Sequence, residues 1–200
     1  MIIKPSALYL SLSATIGAVF AISAGVFAND SVDVNIQGQG FRVCSRSAAD
    51  ALARWEFVLV KVRRETQGRL VELVRIREQF ELLDAPGVRL SNKVFAILSG
   101  RVDSIHSRIE ILARDVREID LASSVKMQNL TNHPDDSVWA DSVWREERDE
   151  CRQGEWNALR LLTNTLPEGE GLVPENKKSL DAFRLEAALL RRDLDSARLR

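Results

Sequence analysis

The chain has 200 residues, with 28 basic and 29 acidic side chains and a formal net charge of −1. This balance excludes the strong basic excess that nucleic-acid-binding domains carry. After residue 28, charges of both signs are scattered along the chain, as on the solvated surface of helices.

Residues 1–28 have the pattern of a secretory signal peptide. Lys4 is the only charged residue before an apolar run from Ala7 to Ala28, and a small residue occupies the last position before Asn29. We therefore predict cleavage after Ala28 and a periplasmic or secreted location. The apolar run is also long enough to cross a bilayer, so the alternative is a single-pass inner-membrane anchor through residues 7–28 with an external domain.

Residues 29–44 are predicted to form an extended N-terminal arm. Val32, Val34 and Ile36 alternate with polar residues, which is the pattern of a short strand. The arm either adds to the edge of a neighbouring sheet or serves as a flexible tether, and the tether is favoured.

Residues 45–132 contain two long apolar stripes whose steps alternate between three and four residues. Such spacing is typical of helices that lie against another helix, and the short turn at Asp84–Gly87 makes the two arms antiparallel neighbours. Folding about this turn pairs Phe80 with Phe95. The seam residues are Leu59, Val62, Leu73, Ile76, Phe80, Phe95, Leu98, Val102, Ile105, Ile109, Leu112 and Val116. They predict a coiled-coil-like hairpin with arms about 55–60 Å long.

Residues 133–200 are predicted to hold two shorter helices that complete one helical unit. The third helix covers about 138–162, a loop with two prolines covers 166–175, and the last helix covers about 176–199. The predicted fold is all-α: a long antiparallel helical hairpin with two further helices packed along or beneath it.

The two cysteines, Cys44 and Cys151, are predicted to form a disulfide bond because the chain is exported. Cys44 lies at the base of the hairpin. A third helix climbing straight beside the rod would carry Cys151 out of reach. The third helix therefore lies across or beyond the base, or the N-terminal arm runs up the rod, or the cysteines pair between chains. The first arrangement is favoured.

The sequence predicts no catalytic residue, no cofactor and no metal site. The only histidines, His106 and His133, lie far apart. Asp135 and Asp136 follow His133, but this cluster fits the capped start of a helix better than a set of metal ligands. Glycine-rich phosphate loops and nucleophile motifs are missing from the sequence.

Large apolar residues in the two C-terminal helices are candidate contacts with partners, since tryptophan anchors many interfaces. They are Trp139, Trp144, Trp156, Leu180, Phe183, Leu190 and Leu194. We therefore predict an exported non-enzymatic scaffold or adaptor of the cell envelope that binds other envelope proteins or itself, with no nucleic-acid partner. The alternative is a sensory or carrier bundle that binds a small ligand between its helices.

Overall fold

The computed structural model describes residues 31–83, 91–131, 142–166 and 169–199. The elements within these ranges are, in chain order, β1 (Val32–Ile36), β2 (Gln39–Val43), α1 (Arg46–Leu83), α2 (Asn92–Thr131), α3 (Ser142–Thr163), β3 (Thr165–Leu166), β4 (Gly169–Glu170) and α4 (Leu172–Leu199). The strands form two small antiparallel sheets, β1–β2 and β3–β4. The predicted all-α fold is confirmed. The predicted signal segment 1–28 and the turn at Asp84–Gly87 lie outside the described residues.

Serine side chains cap the starts of the two long helices. The Ser45 hydroxyl accepts a hydrogen bond from the Ala48 amide at 3.1 Å, and the Ser91 hydroxyl accepts one from the Val94 amide at 3.3 Å. Each bond satisfies an amide that has no partner within its helix. Local sequence therefore fixes where α1 and α2 begin.

Two ion pairs define how α1 and α2 face each other. Glu65 accepts hydrogen bonds from Arg108 at 2.5 and 2.8 Å, and Glu72 lies 3.8 Å from Arg101. The pairs are seven residues apart on both helices and run in opposite directions, so the helices are antiparallel. The register that pairs Phe80 with Phe95 also pairs Leu73 with Val102 and Thr66 with Ile109. Each ion pair lies one residue before one of these last two pairings on both helices.

The twelve predicted seam residues are all buried between the helices. None exposes more than 8% of its surface. The set comprises Leu59, Val62, Leu73, Ile76, Phe80, Phe95, Leu98, Val102, Ile105, Ile109, Leu112 and Val116. Burial of a large aliphatic or aromatic side chain contributes about 1.5–3 kcal/mol, so this seam is a main source of the rod's stability.

The last helix, α4, lies along both α1 and α2 and makes the rod three helices thick. On α1 it pairs Glu175 with Arg63 at 2.9 Å and Glu186 with Arg77 at 3.1 Å. Residue numbers rise together in these pairs, so α4 runs parallel to α1. Near its start the buried Asn176 side chain donates to the Leu59 carbonyl at 3.1 Å, which fixes α4 against α1.

Ion pairs to α2 show the opposite direction. Lys177 contacts Asp120 at 2.6 Å, and Arg184 holds Glu110 with two hydrogen bonds at 2.7 and 2.8 Å. Nearer the turn, the Arg198 guanidinium lies 4.9 Å from the centre of the Phe95 ring. The three helices therefore run up, down and up along the rod.

The start of α4 differs from the prediction. We expected a loop through Glu175, whereas the helix begins at Leu172 and Pro174 lies in its first turn. The first helical bond runs from the Glu175 amide to the Gly171 carbonyl at 3.1 Å, so the residue before it needs no amide hydrogen. Proline is compatible with this position for that reason.

The N-terminal arm folds back on itself as a hairpin of β1 and β2 and packs on the base of the rod. Gln37 and Gly38 form its turn with φ values of 51° and 80°, and β1 pairs with β2 from Val32–Val43 to Ile36–Gln39. Val34, Ile36 and Val43 are buried in the core. This differs from the flexible tether that we favoured, because alternate side chains of the arm find an apolar surface.

Helix α3 crosses the base and touches β2 closely. A Cβ atom built on Gly154 would lie 2.0 Å from the Arg42 carbonyl oxygen, so only glycine fits there. We note also that no helix among the described residues is long and apolar enough to cross a membrane.

Candidate functional site

The cysteine pair joins the two elements of the base. The sulfurs of Cys44 and Cys151 are 1.92 Å apart and their Cα atoms 4.9 Å apart, within one chain. Cys44 directly follows β2, and Cys151 lies in α3 next to the close contact at Gly154. The bond therefore holds α3 across the base of the rod, which is the arrangement that the sequence favoured.

None of the four candidate partner contacts in the last helix is available to a partner. Leu180, Phe183, Leu190 and Leu194 expose at most 2% of their surface, because α4 uses them to pack on α1 and α2. This is a correction to the prediction that the last helix offers a free apolar stripe. The apolar stripe correctly predicted that α4 packs against other helices, and those helices are α1 and α2 of the same chain.

The tryptophans of the C-terminal part give little support for a docking site. Trp156 is half-buried, and the Arg160 guanidinium lies 5.3 Å from the centre of its ring. Trp139 and the side chain of Trp144 lie outside the described residues.

A second stripe of residues on α1, which we call the outer face, points away from α2 and, except at Gln67 and Val74, away from α4. It consists of Phe57, Val60, Arg64, Gln67, Val71 and Val74, at helical steps of three and four. Phe57 exposes 69% of its surface and Val71 52%. Exposed apolar residues that follow one helical face mark interaction surfaces more often than single ones do.

Beside the outer face, α1 and α4 leave an open groove of about 670 Å³. Its floor is apolar and buried, formed by Leu73, Phe183 and Leu190. Its walls carry the half-exposed Leu70 and Val74 of α1. The lining spans Thr66 to Arg77 on α1 and Ser179 to Leu190 on α4, so the groove is about three helical turns, or ~16 Å, long.

One polar atom in the groove lacks a partner. Thr66 exposes 4% of its surface, and its hydroxyl makes no hydrogen bond to any described residue. A buried hydroxyl without a partner costs about 1–3 kcal/mol. The oxygen itself is buried, so a molecule in the open groove does not reach it in this arrangement of side chains.

The arginines of α1 near the groove and on its outer side differ in whether they form an ion pair. Arg77 is paired with Glu186 at 3.1 Å across one end of the groove. Arg64 and Arg75, on the exposed edge of α1, form no ion pair with the described residues. They are eleven residues apart, which is three turns of helix, so both point to the same side.

Two carboxylates between the helices are neutralised by arginines. Hydrogen bonds from Arg108 hold the pKa of Glu65 below its usual range, and hydrogen bonds from Arg184 do the same to the pKa of Glu110. These contacts join α1 to α2 and α2 to α4. They stabilise the bundle. The exposed side of α1 carries both signs of charge, since Glu78 follows the outer face at the same helical spacing.

The described residues show no arrangement for metal or acid–base chemistry. No group of three potential metal ligands occurs among them, and His106 is exposed on α2. His133 lies outside the described residues. What the described part of the chain offers is an open apolar groove beside an exposed helix face that is largely apolar.

Sequence reasoning missed the outer face and the groove. Its signal was present, because Val60, Gln67, Val71 and Val74 repeat at steps of seven, four and three on α1. The seam facing α2 is longer and more regular, so it dominates the apolar pattern of the helix.

The fold therefore defines an all-α protein built as a three-helix rod with a base closed by a cysteine pair. Comparisons of the chain with protein-family models, with curated proteins and with solved structures find no match.

Proposed function

We propose that this protein is an exported, non-enzymatic helical scaffold or adaptor of the cell envelope that works as a subunit of a larger assembly. The observation that carries the proposal is the apolar outer face of α1, with Phe57 and Val71 largely exposed beside an open apolar groove. A stiff rod about 60 Å long presents such a surface at a fixed distance and direction from its base.

Export is supported by two independent features. Residues 1–28 have the pattern of a secretory signal, and Cys44 and Cys151 lie at bonding distance. Disulfide bonds persist in the periplasm and outside the cell, where thiols are not kept reduced.

A small-ligand carrier is the second candidate, and the apolar groove between α1 and α4 favours it. Ligand pockets usually bury most of their ligand and converge several polar groups on it. This groove is open along its length, and the space between α1, α2 and α4 is filled by apolar side chains. Protein docking therefore fits the geometry better.

The proposal is tested by isolating the protein from chemically cross-linked intact cells that carry it and identifying the attached proteins by mass spectrometry. The test variant is Val71→Asp, on the outer face of α1. The matched control is Leu121→Asp, because Leu121 is also an exposed apolar residue and lies on α2.

We expect a defined set of envelope proteins with the native chain and with Leu121→Asp, and loss of that set with Val71→Asp. Recovery of the same proteins with both variants, or of none above background with the native chain, would contradict the proposal.

A further inference from the structure

We propose that the outer face of α1 binds a second copy of this chain, so that two rods lie antiparallel with α1 against α1. This inference rests on the proposed scaffold function and names the first partner in the assembly.

Five exposed residues lie in a straight line along the outer side of α1. Seven residues are close to two turns of helix and eleven are close to three, so all five side chains point within about 20° of one direction. The line is about 33 Å long. We call this set the central line, and it consists of Val60, Arg64, Val71, Glu78 and Leu82.

The central line is complementary to itself about Val71. Arg64 and Glu78 lie seven residues to either side of Val71, and Val60 and Leu82 lie eleven residues to either side. A second copy related by a two-fold axis beside Val71 would therefore place Arg64 opposite Glu78 twice and Val60 opposite Leu82 twice. A symmetric contact uses the same patch on both copies, so such a patch must match itself, as this one does.

The charges also fix the direction of the second copy. In a parallel arrangement Arg64 would face Arg64 and Glu78 would face Glu78, and like charges at such a contact are destabilising. Neither side chain forms an ion pair with the described residues of its own chain, so both are available to the second copy. Arg75, on the flank of the line, would lie beside the small Gly68 of the second copy, where its charge remains in water.

Apolar surface drives the association. Val60, Val71 and Leu82 expose 41%, 52% and 81% of their surfaces. The antiparallel contact would cover all three on both copies, and removal of apolar surface from water is favourable. Because each copy contributes only one helix, the interface is small and the dimer should be weak, with a dissociation constant in the micromolar range.

The contact leaves the groove between α1 and α4 accessible. None of the five residues of the central line belongs to its lining. Each rod of the dimer would therefore keep an open apolar groove for further proteins of the assembly.

The test is analytical ultracentrifugation of the purified, oxidised protein over a micromolar concentration series. Arg64→Glu and Glu78→Arg each place like charges opposite each other in the antiparallel dimer. The double variant Arg64→Glu, Glu78→Arg exchanges the two charges and restores both pairs. Arg46→Glu is the matched control, because Arg46 is exposed on the same side of α1 but lies beyond the central line.

We expect the native protein, the double variant and Arg46→Glu to dimerise with similar affinity. Each single variant at Arg64 or Glu78 should associate about tenfold more weakly, and this difference should shrink as salt increases. An equimolar mixture of the two single variants should dimerise again, because one copy then presents only carboxylates and the other only guanidinium groups. Circular dichroism verifies that each variant keeps its helix content.

Single cysteines report the direction of the second copy. Val71→Cys should form a disulfide-linked dimer under mild oxidation, since this residue meets itself across the two-fold axis. Val60→Cys should be linked only when it is mixed with Leu82→Cys, because the two copies of residue 60 would be about 33 Å apart. A parallel pair would instead link Val60→Cys to itself.

A native protein that stays monomeric, single variants at Arg64 and Glu78 that weaken association no more than Arg46→Glu does, or a mixture that does not recover would overturn the proposal. So would linkage of Val60→Cys to itself. If the chain is monomeric while envelope proteins are still lost with Val71→Asp, the scaffold function stands and only the second copy is wrong. If it dimerises while Val71→Asp keeps every envelope protein, the dimer stands and the scaffold function is wrong.

Discussion

The bond between Cys44 and Cys151 should be the largest single contribution to stability at the base. The two residues are 107 positions apart, and cross-linking a loop of that size removes chain entropy from the unfolded state worth about 4–5 kcal/mol. For a chain of this length, each kcal/mol moves the melting temperature by about 2–4 °C. Reduction should therefore lower the melting temperature by about 10–20 °C.

The measurement is the loss of helical circular dichroism on heating, with and without reductant. The double variant Cys44→Ala, Cys151→Ala is the control. It should melt where the reduced native protein melts, and reductant should not change it. Because α1, α2 and α4 keep their own contacts, the reduced protein should retain its helix content before melting.

A difference of less than about 2 °C between the oxidised and reduced proteins would refute this reasoning. Such a result would mean that the base is held by its packing alone, and that the cross-link closes a loop already ordered in the unfolded ensemble.

Three further substitutions test the packing. Gly154→Ala should destabilise by about 3 kcal/mol because its Cβ would clash with β2, whereas Gly100→Ala, in open space on α2, should stabilise by up to about 1 kcal/mol; both are read by urea unfolding. A double-mutant cycle of Glu65→Gln and Arg108→Gln should show a coupling of about 1 kcal/mol at pH 7. Because the pKa of Glu65 is lowered in the folded protein, the coupling is complete above the ordinary glutamate pKa and is lost as the pH falls through the folded value. Thr66→Val should raise the melting temperature, since it removes a buried hydroxyl without a partner.

Each of these has an outcome that contradicts it. Equal effects of the two glycine substitutions would mean that α3 does not approach β2. A coupling that persists unchanged in acid would mean that Glu65 and Arg108 do not interact as an ion pair. A lower melting temperature for Thr66→Val would mean that the hydroxyl has a partner in solution.

The sequence was sufficient for the seam between α1 and α2. Apolar residues at three and four steps on both arms can satisfy only one antiparallel register about the short turn at Asp84–Gly87, and Glu65 and Arg108 later prove to be neighbours in that register. A bond between Cys44 and Cys151 was also predictable, because the chain has only two cysteines, but the sequence left open whether they pair within one chain or between chains.

The packing of α4 against α1 and α2 was not predictable in the same way. The stripe on α4 shows that Phe183 and Leu190 need a neighbour, but spacing alone does not say whether the neighbour is this chain or another. The answer depends on long-range contacts such as the bond from Asn176 to the Leu59 carbonyl, which leave no local pattern. The groove follows from the same packing, since it exists only where α4 lies beside α1.

Site-specific photo-cross-linking in intact cells shows whether this protein docks others through the outer face of α1. A photoreactive amino acid is placed singly at Val71 on α1, Leu121 on α2 and Leu185 on α4, which are all exposed apolar positions. We predict an adduct with another protein chain from position 71 and none from positions 121 and 185. Adducts from 121 or 185 but not from 71, or equal adducts from all three, would contradict it.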